Sequence, residues 1–134
     1  FRPDGRITAA NACPLNDGAA AIIVMSDTRA AELGIKPLAR IVASGVSGLN
    51  PEIMGLGPIE ACRQAMLRAG MSIQDIDLVE INEAFAAQSL AVIRELGLDD
   101  NDPRININGG AIALGHPLGC TGSKLTVQIL NDFF

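Results

Sequence analysis

Several residue types on which particular protein classes depend are scarce in this sequence. Its 134 residues include no Trp or Tyr and only four Phe, and no apolar run is long enough to cross a bilayer. Lys and Arg number 10 against 15 Asp and Glu, which gives a formal net charge of −5. Nucleic acids and anionic membranes both favour basic surfaces. The composition therefore argues against either of them as a general partner.

Cysteine and histidine are also scarce. The three cysteines, Cys13, Cys62 and Cys120, are odd in number and far apart, so they fit neither a disulfide framework nor a C-x-x-C metal site. His116 is the single histidine, and one histidine with dispersed cysteines does not supply the clustered ligands of a zinc site. We therefore expect no metal site and a reducing, cytoplasmic compartment.

Apolar residues are plentiful and follow two different periods. They make up 49% of the chain, and without large aromatics the core must consist mainly of Ala, Ile and Leu. Short apolar runs predict strands, and apolar residues at helical spacing predict helices. The predicted strands are 22–25, 39–44, 76–81 and 105–107, and the predicted helices are 28–33, 58–69, a segment from 82–85 to about 96, and 123–134. Because strands and helices alternate, we predict an α/β fold with covered sheet faces.

Polar residues follow two of the predicted strands. Asn82 and Glu83 come directly after the strand 76–81, and the strand around 105–107 runs into a glycine-rich turn that contains His116. Ligand sites in α/β folds lie at the carboxyl ends of strands, and flanking glycines allow close approach of a ligand. His116 is thus a candidate base or hydrogen-bond donor, with a packed turn residue as the alternative. Glu83 is more typical of a solvated or capping carboxylate.

Cys120 lies four residues after His116, at the start of a predicted helix. A helix start beside a histidine favours a reactive thiolate, whereas most free cysteines are small packing residues. Both interpretations remain open on these residues alone. A phosphate-binding loop is excluded, because Ser123 separates Gly122 from Lys124 and no register places glycine and lysine together as that motif requires.

Four separated motifs resemble those of thiolases (acetyl-CoA acyltransferases). They are TAANACPLNDGAAA at 8–21, MGLGP at 54–58, NEAFA at 82–86 and GGAIALGHPLGCTG at 109–122. The resemblance covers essentially the whole chain and implies the later part of a longer enzyme with a layered α-β-α-β-α fold. Three regions are implied: 1–14 as the end of the loop domain, 15–36 as a returning segment of the N-terminal domain, and 37–134 as a truncated C-terminal domain.

The resemblance also implies a chemistry. Thiolases cleave or form 3-oxoacyl-CoA by a ping-pong mechanism through an acyl-cysteine, with CoA as a substrate and no separate cofactor. His116 matches the histidine that activates the nucleophilic thiol and helps bind the thioester oxygen. Asn82 matches the asparagine that holds a water completing this oxyanion site, and neutral donors of this kind suit a developing oxyanion. The residues that match the substrate and CoA pocket are Met54, Ala84, Phe85 and Cys13.

Departures from the family pattern concern the cysteines. Neither catalytic cysteine of the family matches a residue of this chain, and Cys120 falls at a variable family position, which favours a packing role. Cys13 stands where many relatives have a serine near CoA, and a thiol is a weak hydrogen-bond donor. We expect acyl-CoA and CoA as ligands, a homodimer or homotetramer for the whole enzyme, and no thiolase activity from this chain alone. The alternatives are a ketoacyl synthase-type condensing enzyme and a non-catalytic acyl-CoA or lipid-binding module.

Overall fold

Helices are the main regular structure in the computed structural model, which describes residues 2–134. Over these residues the α-helices are α1 (Asp27–Glu32), α2 (Gly57–Ala69), α3 (Ala86–Glu95), α4 (Ala111–Leu114) and α5 (Thr121–Asp132). A 3₁₀ helix, Pro51–Leu56, leads directly into α2, and a shorter one, Ile73–Asp75, follows it. None of the helices described is long and apolar enough to span a membrane.

Local sequence determines where these helices begin and end. Pro58 occupies the first turn of α2, where a missing N–H leaves no intrahelical bond unmade. Gly70 ends α2 in the left-handed conformation with φ +66°, which glycine adopts without strain. The Ser26 side chain accepts a hydrogen bond from Arg29 N and so caps α1. The helices predicted from periodicity and capping are therefore confirmed, with bounds shifted by a few residues.

The hydrophobic core lies between α2 and α3. Val92 in α3 is completely buried, and the 3₁₀ helix Pro51–Leu56 packs against both α-helices. Cys62 lies on the apolar face of α2 and packs against this core. The buried core residues are Ile59, Ile81, Val92, Ile93, Leu96 and Leu98. The core is thus aliphatic, as the scarcity of aromatic residues requires.

The prediction of regular strands is wrong for residues 2–134. No β-ladder forms there, and the extended segments make only three isolated bridges, which pair Ala12 with Phe85, Leu15 with His116 and Val79 with Ile105. The helix–strand alternation that predicted an α/β class is therefore not reproduced by hydrogen-bonded strands in this chain.

The apolar segments 22–25 and 39–44 show the physical reason. Ile23 is 88% exposed and Ile41 is 71% exposed, and neither segment pairs with another segment of residues 2–134. A strand exists only when a neighbouring backbone satisfies its N–H and C=O groups. Hydrophobic periodicity predicts which segment can be buried as a strand, but it does not predict which other segment pairs with it.

Gly45 lies where the chain passes closest to α2. A Cβ placed on Gly45 would collide with the carbonyl oxygen of Ala61 and lie 3.0 Å from the backbone nitrogen of Ala65. Nearby, a guanidinium nitrogen of Arg68 donates to the carbonyl oxygen of Ser44. The contact is therefore between two backbones, which have no flexible side chain to move aside.

We expect Gly45→Ala to lower the free energy of unfolding by about 1–3 kcal/mol, because the added methyl group overpacks this contact. Gly48→Ala is the matched control, since a Cβ at Gly48 meets no atom within 4 Å. Urea denaturation followed by circular dichroism measures both changes. Equal losses in the two variants would contradict the close packing of residue 45 on α2.

Arg104 ties the loop before residue 105 to the segment after α2. Its guanidinium donates to the carbonyl oxygens of Ile73 at 3.1 Å and Ile76 at 2.6 Å. The same group makes two hydrogen bonds to the Asp102 carboxylate, from Nε at 2.9 Å and Nη2 at 2.7 Å. These side-chain hydrogen bonds from Arg104 are the main cause that lowers the pKa of Asp102 to about 2. The paired arginine thereby fixes the position of the extended segment beside Val79.

The Asp102–Arg104 pair makes stability depend on pH. Because the pKa of Asp102 in the folded state lies below its ordinary value of 3.8, the stabilisation is present above 3.8 and is lost as pH falls through about 2. We expect Asp102→Asn to be less stable than the parent near neutral pH, with the difference closing towards about pH 2.

Urea denaturation at a series of pH values measures this difference. Asp4→Asn is the control, because Asp4 is exposed and belongs to none of the ion pairs of the described residues. A stability difference for Asp102→Asn that stays constant between neutral and acidic pH would show that the ion pair does not cause it.

Candidate functional site

The segment 11–16 contacts both the motif of Asn82 and Glu83 and the loop that contains His116. Its first half pairs with the residues that follow Asn82. The backbone nitrogen of Cys13 donates to the carbonyl oxygen of Ala84 at 3.1 Å, and Ala86 N donates to the carbonyl oxygen of Asn11 at 2.9 Å. These two hydrogen bonds form an antiparallel bridge. The predicted pocket residues Cys13, Ala84 and Phe85 are therefore brought together at the start of α3.

The second half of the same segment pairs with the histidine loop. Leu15 forms a parallel bridge with His116, and the backbone nitrogen of His116 donates to Asn16 Oδ1 at 3.1 Å. Gly115 has φ +91°, and a Cβ there would lie 2.5 Å from Asn16 Oδ1. Only glycine fits this position, because both the backbone conformation and the close approach of Asn16 exclude a side chain.

Glu83 connects the two motifs directly. Its Oε2 accepts a hydrogen bond from Ile112 N in α4 at 3.1 Å, and its Oε1 accepts one from Asn106 Nδ2 at 3.2 Å. The carboxyl group also occupies the space where a side chain at residue 110 would lie, which explains Gly110. Glu83 therefore fixes the position of its neighbour Asn82 relative to the turn that leads to His116.

The side chain of Asn106 continues the pairing of two extended segments beyond the point where their backbone hydrogen bonds stop. Val79 N donates to Arg104 O at 3.0 Å, and Asn106 N donates to Val79 O at 2.9 Å. At Asn106 the chain then turns into the left-handed region, with φ +46°, which asparagine tolerates better than most residues. Its side-chain amide accepts from Ile81 N at 2.8 Å and donates to Ile81 O at 3.1 Å. The amide thus takes the place of a peptide group beside Ile81.

The first turn of α5 holds the imidazole of His116. Nδ1 of the ring lies 2.7 Å from Thr121 Oγ1, and that hydroxyl also donates to the carbonyl oxygen of Pro117 at 3.0 Å. Thr121 is 5% exposed. Lys124 Nζ donates to the carbonyl oxygen of Gly115 at 2.8 Å. Side chains of α5 therefore hold both the ring and the backbone that precedes it.

Asn82 has a free acceptor. Its Oδ1 is buried and accepts no hydrogen bond from the residues described. A buried acceptor without a partner is costly. Glu80 Oε2, Gln88 Oε1 and Asp132 Oδ2 share this state, but only the Asn82 atom belongs to a residue that the family motifs indicate as part of the site. The atom lies at the end of the extended segment that Asn106 pairs, next to the anchored Glu83.

A group of carboxylates lies beside α5. Gln128 Nε2 contacts Glu80 Oε1 at 3.3 Å, and Asn108 Nδ2 donates to Asp132 Oδ1 at 2.6 Å. Burial, followed by the nearby charge of Asp132, raises the pKa of Glu80. Within residues 2–134 no three His, Cys, Asp or Glu side chains are grouped as metal ligands.

The remaining residues singled out from the sequence are dispersed. Met54 is 68% exposed on the 3₁₀ helix that packs against α3. Cys120 is partly buried and immediately precedes α5, and an open cleft of about 420 Å³ lies between 16–20 and 117–120. The structural residues that sequence reasoning missed are Asn16, Asn106, Thr121 and Lys124. Of these four, only Thr121 could have been identified from the sequence, because it stands four residues after Pro117 at the start of a helix.

Family models match almost the whole chain. Residues 35–133 match the model described as the C-terminal domain of thiolase, and residues 1–28 match the N-terminal domain of thiolase. The chain therefore belongs to the thiolase family. The finer division into 1–14, 15–36 and 37–134 stays a prediction.

Individual relatives agree with this assignment. The chain is 55% identical over 132 residues to an acetyl-CoA acetyltransferase of Syntrophomonas wolfei and 58% identical to the 3-oxoadipyl-CoA/3-oxo-5,6-dehydrosuberyl-CoA thiolase of Escherichia coli; in both cases the match covers 98% of this chain and 33% of the relative. It thus spans about a third of the length of these relatives.

Solved structures show the same fold. The crystal structure of the Bacillus anthracis acetyl-CoA acetyltransferase superimposes with a TM-score of 0.92 at 51% identity, over 98% of this chain and 33% of that chain. Human mitochondrial 3-ketoacyl-CoA thiolase in complex with CoA superimposes with a TM-score of 0.88 at 48% identity, over the same shares. The thiolase-like fold predicted from the motifs is confirmed for this portion.

We expect Glu83→Gln to loosen the turn that leads to His116. The substitution keeps the size of the side chain but converts one acceptor oxygen into an NH₂ donor, so one hydrogen bond, from Ile112 N or from Asn106, is lost. The free energy of unfolding should fall by about 1.5–3 kcal/mol, as for other hydrogen bonds to charged groups. Amide exchange at Ile112 should become faster.

Glu52→Gln is the control for this test, because Glu52 is exposed and its side chain makes no ion pair among residues 2–134. Hydrogen exchange followed by NMR measures the Ile112 amide in both variants. Equal exchange rates would mean that the Glu83 carboxylate does not hold α4.

Proposed function

We propose that the longer protein represented by this chain cleaves 3-oxoacyl-CoA by thiolysis with CoA, or forms it by the reverse Claisen condensation. The main support for this proposal is that hydrogen bonds of Glu83 and of the segment 11–16 hold the Asn82 motif and the His116 loop together. The relatives include proteins named acetyl-CoA acetyltransferase and 3-ketoacyl-CoA thiolase, which supports this reaction class.

His116 and Asn82 act together on the thioester in this proposal. His116 takes the proton of a cysteine thiol, and in the thiolysis direction the resulting thiolate attacks the 3-oxo carbonyl carbon. The C2–C3 bond then breaks, which leaves the acyl group on the cysteine and the electron pair on the thioester enolate; the enolate takes up a proton, and the thiol of a second CoA accepts the acyl group. The developing oxyanion receives hydrogen bonds from the histidine and from a water held by the free Oδ1 of Asn82. Donors fixed before the reaction stabilise such an oxyanion without reorganising during it.

The nucleophilic thiol is assigned to a residue outside these 134. Cys62 lies in the core, where burial raises the pKa of its thiol and so opposes the thiolate. Cys120 makes no hydrogen bond with His116, whose Nδ1 is occupied by Thr121. Both cysteines are therefore packing residues in this proposal, and the chain alone is inactive.

The substrate pocket is assigned to residues at the start of α3. Cys13, Ala84 and Phe85 are joined by backbone pairing, and we assign them, with Met54 from the neighbouring 3₁₀ helix, to contacts with acyl-CoA and CoA. The solved human mitochondrial relative is a complex with CoA, which supports this ligand. CoA is a substrate in this scheme, and no further cofactor, nucleic acid or membrane partner is invoked.

The exposed apolar segments 22–25 and 39–44 are assigned to buried strands of the longer protein. Most of their apolar side chains are exposed here, and the relatives are about three times as long. In this proposal further sequence pairs with both segments and completes the layered α-β-α-β-α arrangement. A homodimer or homotetramer is the expected assembly, and the cytoplasmic location stays a prediction from the cysteine pattern.

A chimeric enzyme tests the proposed chemistry. The matching third of the Escherichia coli 3-oxoadipyl-CoA thiolase is replaced by this chain, and thiolysis of 3-oxoadipyl-CoA is measured. We expect turnover by the chimera. His116→Ala should lower kcat by about 10²–10⁴, the range for general acid–base residues. Asn82→Ala should lower it by about 10²–10³, the range for loss of one oxyanion donor, because the water that donates to the oxyanion loses its support.

Cys120→Ala in the same chimera is the control, and we expect it to leave turnover unchanged. Thermal unfolding and size-exclusion chromatography confirm that each variant is folded. A folded chimera that binds acyl-CoA without turnover would favour the non-catalytic binding module. Full activity of His116→Ala would contradict the role of the histidine.

A further inference from the structure

The geometry points to a positioning role for Thr121: its hydroxyl holds His116 as the Nδ1–H tautomer and leaves Nε2 as the basic nitrogen of the ring. Two contacts of the same oxygen atom carry this inference. Thr121 Oγ1 lies 2.7 Å from His116 Nδ1 and 3.0 Å from the carbonyl oxygen of Pro117.

The proton count decides the direction of each hydrogen bond. A threonine hydroxyl has one proton and two lone pairs, whereas a carbonyl oxygen only accepts. The contact between Thr121 and Pro117 joins two oxygens, so it is a hydrogen bond only if the hydroxyl donates its proton there. The threonine oxygen then has lone pairs alone to offer His116, and Nδ1 must carry the proton. No other placement makes both contacts hydrogen bonds.

The surroundings of the hydroxyl hold this arrangement in place. Thr121 is 5% exposed, so water does not readily replace either partner. The bond to Pro117 O spans four residues at the start of α5, a common geometry for threonine in helices. The peptide group that joins Gly115 to His116 is also fixed, by Asn16 at His116 N and by Lys124 at Gly115 O.

The tautomer rests on the geometry alone, while its catalytic meaning rests on the proposed function. A free neutral imidazole prefers the Nε2–H form, which would direct a proton at an incoming thiol. With Nδ1 protonated, Nε2 has a lone pair and accepts the thiol proton. It then becomes the N–H that donates to the thioester oxygen. Thr121 thus acts through His116 and does not contact the substrate.

The single histidine of the chain makes the tautomer directly measurable. In protein labelled with ¹⁵N-histidine, only His116 gives ring signals. Spectra recorded in mildly alkaline solution should show a protonated Nδ1 and an unprotonated Nε2. A predominantly Nε2–H ring in the parent protein would overturn the inference without any variant.

Substitutions separate the hydroxyl from the fold of the helix. Thr121→Val keeps the shape but removes the acceptor, so the ring signals should shift towards the Nε2–H form. Thr121→Ser keeps the hydroxyl and should retain the Nδ1–H form. Thr126→Val is the matched control, because Thr126 makes a similar bond to Gly122 O on the exposed side of α5 and should leave the signals unchanged. An identical tautomer in Thr121→Val and the parent would contradict the role of the hydroxyl.

The chimeric thiolase supplies the functional readout. Thr121→Val should lower kcat with little change in KM, and Thr121→Ser should restore turnover. A protonated Nδ1 combined with an inactive, folded chimera would leave the tautomer inference standing and would contradict the proposed function. Full turnover of Thr121→Val would contradict the catalytic consequence of the tautomer.

Discussion

The carboxylate of Glu83 is the contact on which the arrangement of the site depends. It accepts hydrogen bonds from Ile112 N and Asn106 Nδ2, and it occupies the space where a Cβ on Gly110 would lie. Asn106 in turn holds Ile81 through its side-chain amide. One carboxylate therefore joins the extended segment that ends at Ile81 to a left-handed turn and a short helix that lie 23 and 29 residues after Glu83 in the sequence. Its immediate neighbour is Asn82, so the position of that amide follows from the same contact.

The segment 11–16 is the second connection, and it is made mainly by backbone atoms. It pairs with the start of α3 at one end and with His116 at the other. Because both motifs are held to this segment, their separation is set by its length and extended conformation. The ring of His116 is oriented by the hydroxyl of Thr121. The two candidate catalytic residues thus belong to different motifs but share one support.

Sequence patterns predicted the helices and the candidate residues better than the contacts between them. Pro58 and Gly70 act on their own backbone, so the bounds of α2 could be read locally. The segments 22–25 and 39–44 were predicted as strands but pair with no other segment of residues 2–134, because strand pairing depends on a partner that hydrophobic periodicity does not identify. His116 and Asn82 were identifiable from family motifs. Asn106 was missed, since its left-handed φ and its bonds to Ile81 and Glu83 arise only after the chain has folded.

The central claim is that His116 and Asn82 face a single thioester. A crystal structure of the whole enzyme containing this segment, bound to an unreactive acyl-CoA thioester analogue, tests it most directly. We expect the thioester oxygen at about 3 Å from His116 Nε2, with a water between that oxygen and Asn82 Oδ1. A thioester bound away from both side chains, or Asn82 Oδ1 satisfied by another protein group, would contradict it.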